Sequence, residues 1–259
     1  MTKVGFCMAG SVNTVATTVD QRPAALHCLS NFSFLRGGSH PHELVQRAVD
    51  YGYQALAITD ECSVAGVVRA YVAAREQPLR LIIGSEFHLE NIGTLIVLVR
   101  NRQGYAQLCQ LITTARNRSK KGSYQVFLED FIETLTQCSL LWRPLFKANL
   151  EEADSDLIKA TAEQLKQAFG DYFWLAYSRH YRADDAQRYC YYQRLSIEQT
   201  IPVAAVCEVC YHEPQRQSLH DVLVAIRRRQ PLETQVAQLK PNQDYCLRTL
   251  EQLQQCYPG

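Results

Sequence analysis

Six side chains of the metal-ligand type stand at or just after the ends of predicted buried strands. They are His27, Asp60, Glu61, Glu86, Glu208 and Cys210. Histidine, carboxylate and thiolate groups together form the ligand set of hydrolytic zinc or manganese sites. Acidic residues also end strands at solvated sheet edges without binding anything. The pattern alone therefore leaves a metal site as one hypothesis beside that simpler one.

The elements that must position these residues follow from hydrophobic periodicity. Apolar runs predict buried strands over 55–59, 81–85, 95–99, 139–142, 172–177 and 201–206. Helical spacing predicts helices over 39–52, 64–72, 104–116, 154–169, 184–199 and 218–228. Strands that alternate with helices indicate an α/β fold with a mainly parallel sheet. Seven or so such units favour a closed barrel, whose working face is the carboxyl end of the strands.

Two local expectations concern single helices. Ser39 is predicted to cap the helix that carries Pro41 in its first turn. The helix over 218–228 is predicted to bury its apolar stripe of Leu219, Val222, Leu223 and Ile226.

Composition limits the classes of protein that remain. The chain has 259 residues, with 27 Lys and Arg against 26 Asp and Glu, and a net charge of +1. That balance argues against nucleic-acid binding by bulk charge. No apolar run reaches the roughly 18 to 20 residues of a membrane helix. Residues 1–23 lack a signal-peptide core, so we predict a flexible tail, one domain over 24–259, and a cytoplasmic location.

The cysteines and the basic loop are the remaining candidates. Ten cysteines are scattered, and only Cys207 and Cys210 are close, without the second ligand pair that a structural zinc site needs. Local basic residues are candidates for DNA-backbone contacts: Arg116, Arg118, Lys120 and Lys121. The alternative for these four side chains is a solvated loop.

An ordered set of motifs resembles a known family. The motifs are His27-Cys-Leu-Ser-Asn-Phe-Ser-Phe-Leu-Arg-Gly37, His40-Pro41, Thr59-Asp60-Glu61-Cys62-Ser63, Gly84-Ser85-Glu86 and His180-Tyr181-Arg182. Their order is similar to that of the polymerase-and-histidinol-phosphatase (PHP) domain, and most similar to this domain in bacterial error-prone DNA polymerases of the replicative alpha-subunit type. The resemblance covers about residues 24 to 258. It implies a distorted (β/α)₇ TIM-like barrel.

The resemblance also implies a degenerate metal site. Active members hold several metal ions, and His27 and Glu86 match two of their ligand positions. Glu208 and Cys210 stand where the family has its final Asp and His. The other matched ligand positions carry different residues: Leu29, Arg36, Glu61 and Thr94. The resemblance thus leaves a vestigial site that holds at most one zinc or manganese, with Arg36 expected to fill it through a salt bridge.

Three functions remain open at this stage. The first is a non-catalytic structural or interaction domain, part of a translesion polymerase whose Mg²⁺-dependent palm would lie beyond this short or truncated chain. The second is a residual metal-dependent phosphoesterase or exonuclease. The third is a decayed gene product. For the first, the expected partners are the rest of the polymerase or its accessory mutagenesis proteins, with DNA reached through the full protein and the chain itself monomeric.

Overall fold

Seven strands form a single curled sheet in this computed structural model, which describes residues 22–146, 152–235 and 238–257. The strands are β1 (Ala24–Ala25), β2 (Ala55–Ile58), β3 (Arg80–Leu89), β4 (Gly93–Val99), β5 (Cys138–Pro144), β6 (Phe173–Tyr177) and β7 (Val203–Ala205). They pair in the order of the chain. The expected flexible tail falls almost wholly on residues 1–21, which lie outside the described residues.

Helices connect the strands as the sequence predicts. They are α1 (Pro41–Asp50), α2 (Val67–Ala74), α3 (Arg102–Asn117), α4 (Leu128–Thr134), α5 (Glu152–Phe169), α6 (Asp185–Gln199), α7 (Gln217–Arg228) and α8 (Leu250–Cys256). The short helices α4 and α8 are not among the predicted elements. Across the described ranges, no helix is both long and apolar enough to span a membrane.

The strand β4 departs from the parallel arrangement. It pairs antiparallel with both β3 and β5, whereas the other neighbours are parallel. Asn91 and Gly93 adopt positive φ angles of 63° and 113° between β3 and β4. These residues allow the chain to reverse in a tight hairpin, where no helix is needed to return it to the sheet.

Backbone hydrogen bonds join the two ends of the sheet beyond β1 and β7. The N–H of Leu29 donates to the carbonyl of Val209 at 2.8 Å, and the N–H of Val209 donates to the carbonyl of His27 at 3.0 Å. The segments after the first and last strands therefore meet. This contact places His27 beside Glu208 at the carboxyl end of the barrel, as the barrel prediction requires.

Apolar side chains fill both faces of the sheet. A small cluster of inward-facing residues contains Ala57, Ile96, Leu141, Ala176 and Ala204. Larger clusters lie between the sheet and the helices outside it. The packed interior fixes the strand register, and through it the side chains at the carboxyl end.

The two local expectations about helices are both wrong. The N-cap position of α1 is His40, not Ser39, and the main-chain N–H of His40 donates to the Glu43 carboxylate at 2.7 Å. The Ser39 hydroxyl instead accepts from the main-chain N–H of His212 at 2.9 Å and lies 2.8 Å from Nδ1 of the same residue. In α7 the apolar stripe faces outward. Leu219, Val222 and Ile226 are 41%, 46% and 55% exposed, and His220 is the buried residue of this helix. Leu223, the fourth residue of the stripe, is half-buried, so most of the stripe, but not all of it, faces outward.

Candidate functional site

The loop after β1 is anchored by a buried carboxylate. Asp60 follows β2 and accepts hydrogen bonds from the main-chain N–H of Ser30 at 2.8 Å, the Ser30 hydroxyl at 2.7 Å and the Ser33 hydroxyl at 2.7 Å. Burial raises the pKa of the Asp60 carboxyl, and these three bonds oppose that rise. Asp60 therefore holds the loop in place, and its oxygen atoms are engaged in doing so.

The anchored loop turns back tightly at Gly37. A Cβ atom added there would lie 1.9 Å from the carbonyl oxygen of Ser30, so a larger residue cannot occupy the position without displacing the backbone. This turn carries the neighbouring residue, Arg36, over the barrel end.

The guanidinium of Arg36 occupies the position between two carboxylates. Its Nη1 lies 2.7 Å from Oε1 of Glu86 and 2.7 Å from Oε2 of Glu61. Burial alone would lower the pKa of Arg36, but the two carboxylates outweigh it and raise that pKa above its usual value. The expected salt bridge of Arg36 is confirmed.

Two histidines complete the surroundings of Glu86. His27 donates from Nε2 to Oε2 of Glu86 at 2.7 Å, and His88 donates from Nε2 to Oε1 at 3.0 Å. Burial alone would raise the pKa of the Glu86 carboxyl. Arg36 and the two histidines outweigh it and hold this pKa well below its usual range. Glu86 is therefore an ionised carboxylate with donors on both oxygen atoms.

A second ion cluster surrounds Glu208, beyond the end of β7. Arg143 contributes Nη1 at 2.6 Å from one oxygen of Glu208, and Lys240 contributes Nζ at 2.8 Å from the other. Burial alone would raise the pKa of Glu208, but these two cations hold it well below its usual range. Glu208 is thus satisfied by one cation on each oxygen.

A row of side chains across three strands links the two clusters. His88 on β3 lies opposite Thr94 on β4, and Thr94 lies opposite Arg143 on β5. Arg143 donates from Nη2 to the Thr94 hydroxyl at 3.2 Å, and that hydroxyl lies 3.0 Å from Nδ1 of His88. The polar floor of the barrel end is therefore continuous from Glu86 to Glu208.

The remaining two candidate ligand positions, Leu29 and Cys210, lie in apolar surroundings. Cys210 and Leu29 pack together in a small buried cluster. Burial raises the pKa of the Cys210 thiol to about 11, so the group stays protonated near neutral pH. A protonated thiol is a poor metal ligand because the thiolate is the coordinating form.

The residues present do not fit the metal centre that the family resemblance implies. Guanidinium and ammonium groups already contact the carboxylates of Glu61, Glu86 and Glu208. These are the oxygen atoms that a metal ion would need as ligands. Within the described ranges, no group of three or more His, Cys, Asp or Glu side chains is arranged to hold a metal ion. A bound cation would also have to displace Arg36, which is tethered to the chain.

The structure thus brings together part of the predicted set. Arg36 joins Glu61 and Glu86, and Glu86 also contacts His27. Glu86 lies within β3 and not after its end, because β3 continues to Leu89. Sequence reasoning missed three contributors: His88, Arg143 and Lys240. His88 had a usable signal, since residues two apart on one strand share a face with each other.

The four basic candidates fall into two groups. Arg116 donates to the main-chain oxygens of Cys62 and Glu61 at 3.1 and 3.3 Å, and Arg118 contacts Asp130 at 2.8 Å. Lys120 and Lys121 are exposed in the loop that follows α3. Two of the four side chains therefore have intrachain partners, and the two lysines face solvent.

Comparison with known proteins agrees with the fold and the motif order. The PHP domain model matches residues 25–180, and the chain belongs to the PHP domain family. An amidohydrolase structure from Chromobacterium violaceum shares the fold, with a TM-score of 0.55 and 14% identity over 73% of this chain and 87% of that one.

More similar relatives are named error-prone DNA polymerases. The protein from Idiomarina loihiensis is 43% identical over 97% of this chain and 24% of its own length. The protein from Pseudomonas fluorescens Pf0-1 is 45% identical over 93% of this chain and 22% of its own length. The chain thus spans about a quarter of the relatives that it matches, in their N-terminal region.

Proposed function

We propose that this chain is the PHP domain of an error-prone, translesion DNA polymerase, and that the domain is a non-catalytic structural unit. The similarity to error-prone polymerases supports the first part. The second part rests on one observation. The carboxylates that would carry a metal site are each paired with fixed cations, Arg36 for Glu86 and Arg143 with Lys240 for Glu208.

The chemistry of a phosphoesterase explains why this pairing matters. A bound metal ion lowers the pKa of water and stabilises the charge that develops on the phosphoryl oxygens. A guanidinium group supplies positive charge but has no exchangeable coordination position for water. In this proposal the domain keeps the barrel fold and the neutralised carboxylates, but it lacks the metal-bound water that would attack a phosphate ester.

A hydrolase assay tests the non-catalytic role. We expect this chain, supplied with zinc or manganese, to hydrolyse a phosphate monoester and single-stranded DNA no faster than its Glu86→Gln variant. Hydrolysis that saturates with metal and is lost in Glu86→Gln would contradict the proposal. The Glu251→Gln variant, at an exposed position on α8, controls for the loss of one carboxylate.

A residual phosphoesterase or exonuclease is the second candidate, and one contact favours it. His27 and His88 each lie within hydrogen-bond distance of the Glu86 carboxylate, at 2.7 and 3.0 Å, and imidazole and carboxylate groups are ligand types that zinc accepts. Arg36 would first have to leave Oε1 of Glu86. The same hydrolase assay with Arg36→Ala decides between the two candidate functions. Only the residual hydrolase predicts a metal-dependent activity that rises when Arg36 is removed.

The partner of the domain follows from the first proposal. A structural PHP domain would pack against the remainder of the polymerase. Accessory mutagenesis proteins are the alternative binding partners. DNA would be reached through the full protein. We assign no cofactor to the domain itself, and magnesium would belong to the polymerase portion. Co-purification of this chain with a separately expressed remainder of the polymerase tests the first of these partners.

A further inference from the structure

A largely apolar cavity of about 390 Å³ lies on the outside of the barrel, over β7. Helix α6 forms one wall, and the end of α8 forms the other. On its floor, Val203 and Ala205 of β7 are only half-buried, whereas Ala204 between them packs into the barrel interior. The helix that follows β7 does not cover this face. It is α7, and it contacts the carboxyl end of the barrel instead, where Nη2 of Arg227 lies 4.0 Å from Oε2 of Glu61.

Four tyrosine rings line this cavity: Tyr177, Tyr189, Tyr192 and Tyr257. Tyr177 contacts the other three, with 5.8, 5.3 and 6.2 Å between ring centres. Hydrogen bonds fix the ring of Tyr257, since its hydroxyl accepts from the main-chain N–H of Arg179 at 2.9 Å and donates to the carbonyl of Val206 at 3.2 Å. Tyr189 is 43% exposed, so its ring is partly free to stack on a ligand.

A buried carboxylate with one unused oxygen belongs to the same lining. Asp185 is 7% exposed, and its Oδ2 accepts from the main-chain N–H groups of His180 at 3.2 Å and Arg182 at 3.1 Å. Its Oδ1 has no hydrogen-bond partner among the described residues. A buried oxygen of this kind requires a donor. A ligand in the adjoining cavity can supply one.

The charges around the cavity favour an uncharged ligand. Among the described residues that line it, Asp185 is the one carboxylate and Arg179 the one guanidinium, so their charges cancel. Arg179 also donates from Nη1 to a main-chain carbonyl at 3.0 Å. The next cations, Arg182 and Arg188, share Asp184 at 2.9 and 3.1 Å, and these three residues are not part of the lining. The lining therefore has no excess charge that would attract an ion.

We propose that this cavity binds an amino-substituted nucleobase, which stacks on Tyr189 and donates from its amino group to Oδ1 of Asp185. A nucleobase is planar, aromatic and uncharged, and it therefore matches both the tyrosine rings and the balanced charges of the lining. The cavity has the volume of a small-ligand site. The base belongs either to a free nucleoside or to a DNA single strand. This site goes beyond the structural role proposed above.

Calorimetric titration of this chain with 2′-deoxyadenosine tests the proposal. We expect saturable binding of one nucleoside per chain. Purine 2′-deoxyriboside lacks only the amino group and should bind about tenfold more weakly, because it cannot donate to Asp185. In Asp185→Asn the two nucleosides should bind equally, both at the weaker level. A merely structural effect of Asp185 would instead weaken both nucleosides by the same factor.

Tyr189→Leu tests the stacking contact. The variant should raise the dissociation constant of 2′-deoxyadenosine about tenfold, because it removes the ring on which the base stacks. Tyr71→Leu is the matched control. It makes the same substitution at an exposed position on α2, away from the cavity, and it should leave the dissociation constant unchanged. Thermal unfolding of each variant verifies that it is folded.

A short single strand of deoxyadenosine nucleotides separates the two sources of the base. Tighter binding of the strand than of the nucleoside supports a base within DNA, and equal or weaker binding supports a free nucleoside. Three results would overturn the proposal: no saturable binding of either ligand, purine 2′-deoxyriboside binding as tightly as 2′-deoxyadenosine to the unmodified chain, or no loss of affinity in Tyr189→Leu. A failure here leaves the proposed structural role intact, since that role is tested by metal content and hydrolysis.

Discussion

Nη1 of Arg36 lies 2.7 Å from Oε1 of Glu86, a carboxylate that is fully buried at the end of the barrel. The contact joins a residue of the loop after β1 to a residue of β3, and it is possible because Asp60 and Gly37 fix the course of that loop. A permanently charged guanidinium thereby faces a carboxylate that the family resemblance matches to a metal-ligand position.

Removal of Arg36 should destabilise the fold. Arg36→Gln would leave Glu86 and Glu61 without their shared cation, and loss of one partner from a buried ion pair costs roughly 3 to 5 kcal/mol. Urea unfolding measures the change in the free energy of unfolding. Arg75→Gln breaks an exposed pair with Glu76 and should cost less than about 1 kcal/mol. Equal losses in the two variants would show that the Arg36 contact is not a structural pair.

The ion clusters should make stability depend on acidic pH. Glu86 and Glu208 have folded pKa values well below the ordinary value of 4.5, so below about pH 4.5 the unfolded chain takes up protons that the folded chain refuses. The free energy of unfolding therefore falls as the pH drops through that range. This part of the stability is fully present above it.

Glu208→Gln should make that acid dependence shallower. The variant removes one of the two depressed groups, so the slope of unfolding free energy against pH decreases below about pH 4.5. Thermal or urea unfolding across pH 3 to 7 measures the slope. Glu133→Gln, an exposed position on α4, should leave the slope as it is in the unmodified chain. A slope that is unchanged in Glu208→Gln would refute the assignment.

Arg116 should contribute to the stability of the fold, whereas Lys120 should contribute little. The Arg116 guanidinium donates to main-chain oxygens of Glu61, Cys62 and Ser123, and so ties α3 and its following loop to the segment after β2. We expect Arg116→Gln to lose about 2 kcal/mol of unfolding free energy, and Lys120→Gln to change it by less than about 0.5 kcal/mol. Chemical denaturation of the two variants tests this, and an equally small effect in both would contradict the structural role of Arg116.

The barrel itself could be predicted from the sequence because its signals are local. The apolar run over 55–59, followed by Asp60 and Glu61, gave β2 and the acids at its end. The expected closed barrel has its two ends joined after β1 and β7. The antiparallel β4 was not predicted, because a strand that runs in the opposite direction has the same apolar pattern as a parallel one.

The partners of the carboxylates were harder to predict because they depend on register. The row from His88 through Thr94 to Arg143 exists only when three strands are aligned, and single-strand patterns do not contain that alignment. Lys240 lies outside the helices and strands, with no periodicity to place it. The outward apolar stripe of α7 shows the same limit, since an amphipathic pattern does not say which face contacts the barrel.

Metal content per chain tests the central claim most directly. The chain would be equilibrated with zinc and, separately, with manganese, then gel-filtered and analysed for bound metal, with His27→Ala and Glu86→Gln alongside. We predict well below one ion per chain, equal in the unmodified chain and both variants, because Arg36, Arg143 and Lys240 already neutralise the carboxylates. One or more ions per chain, lost in His27→Ala or Glu86→Gln, would contradict the claim.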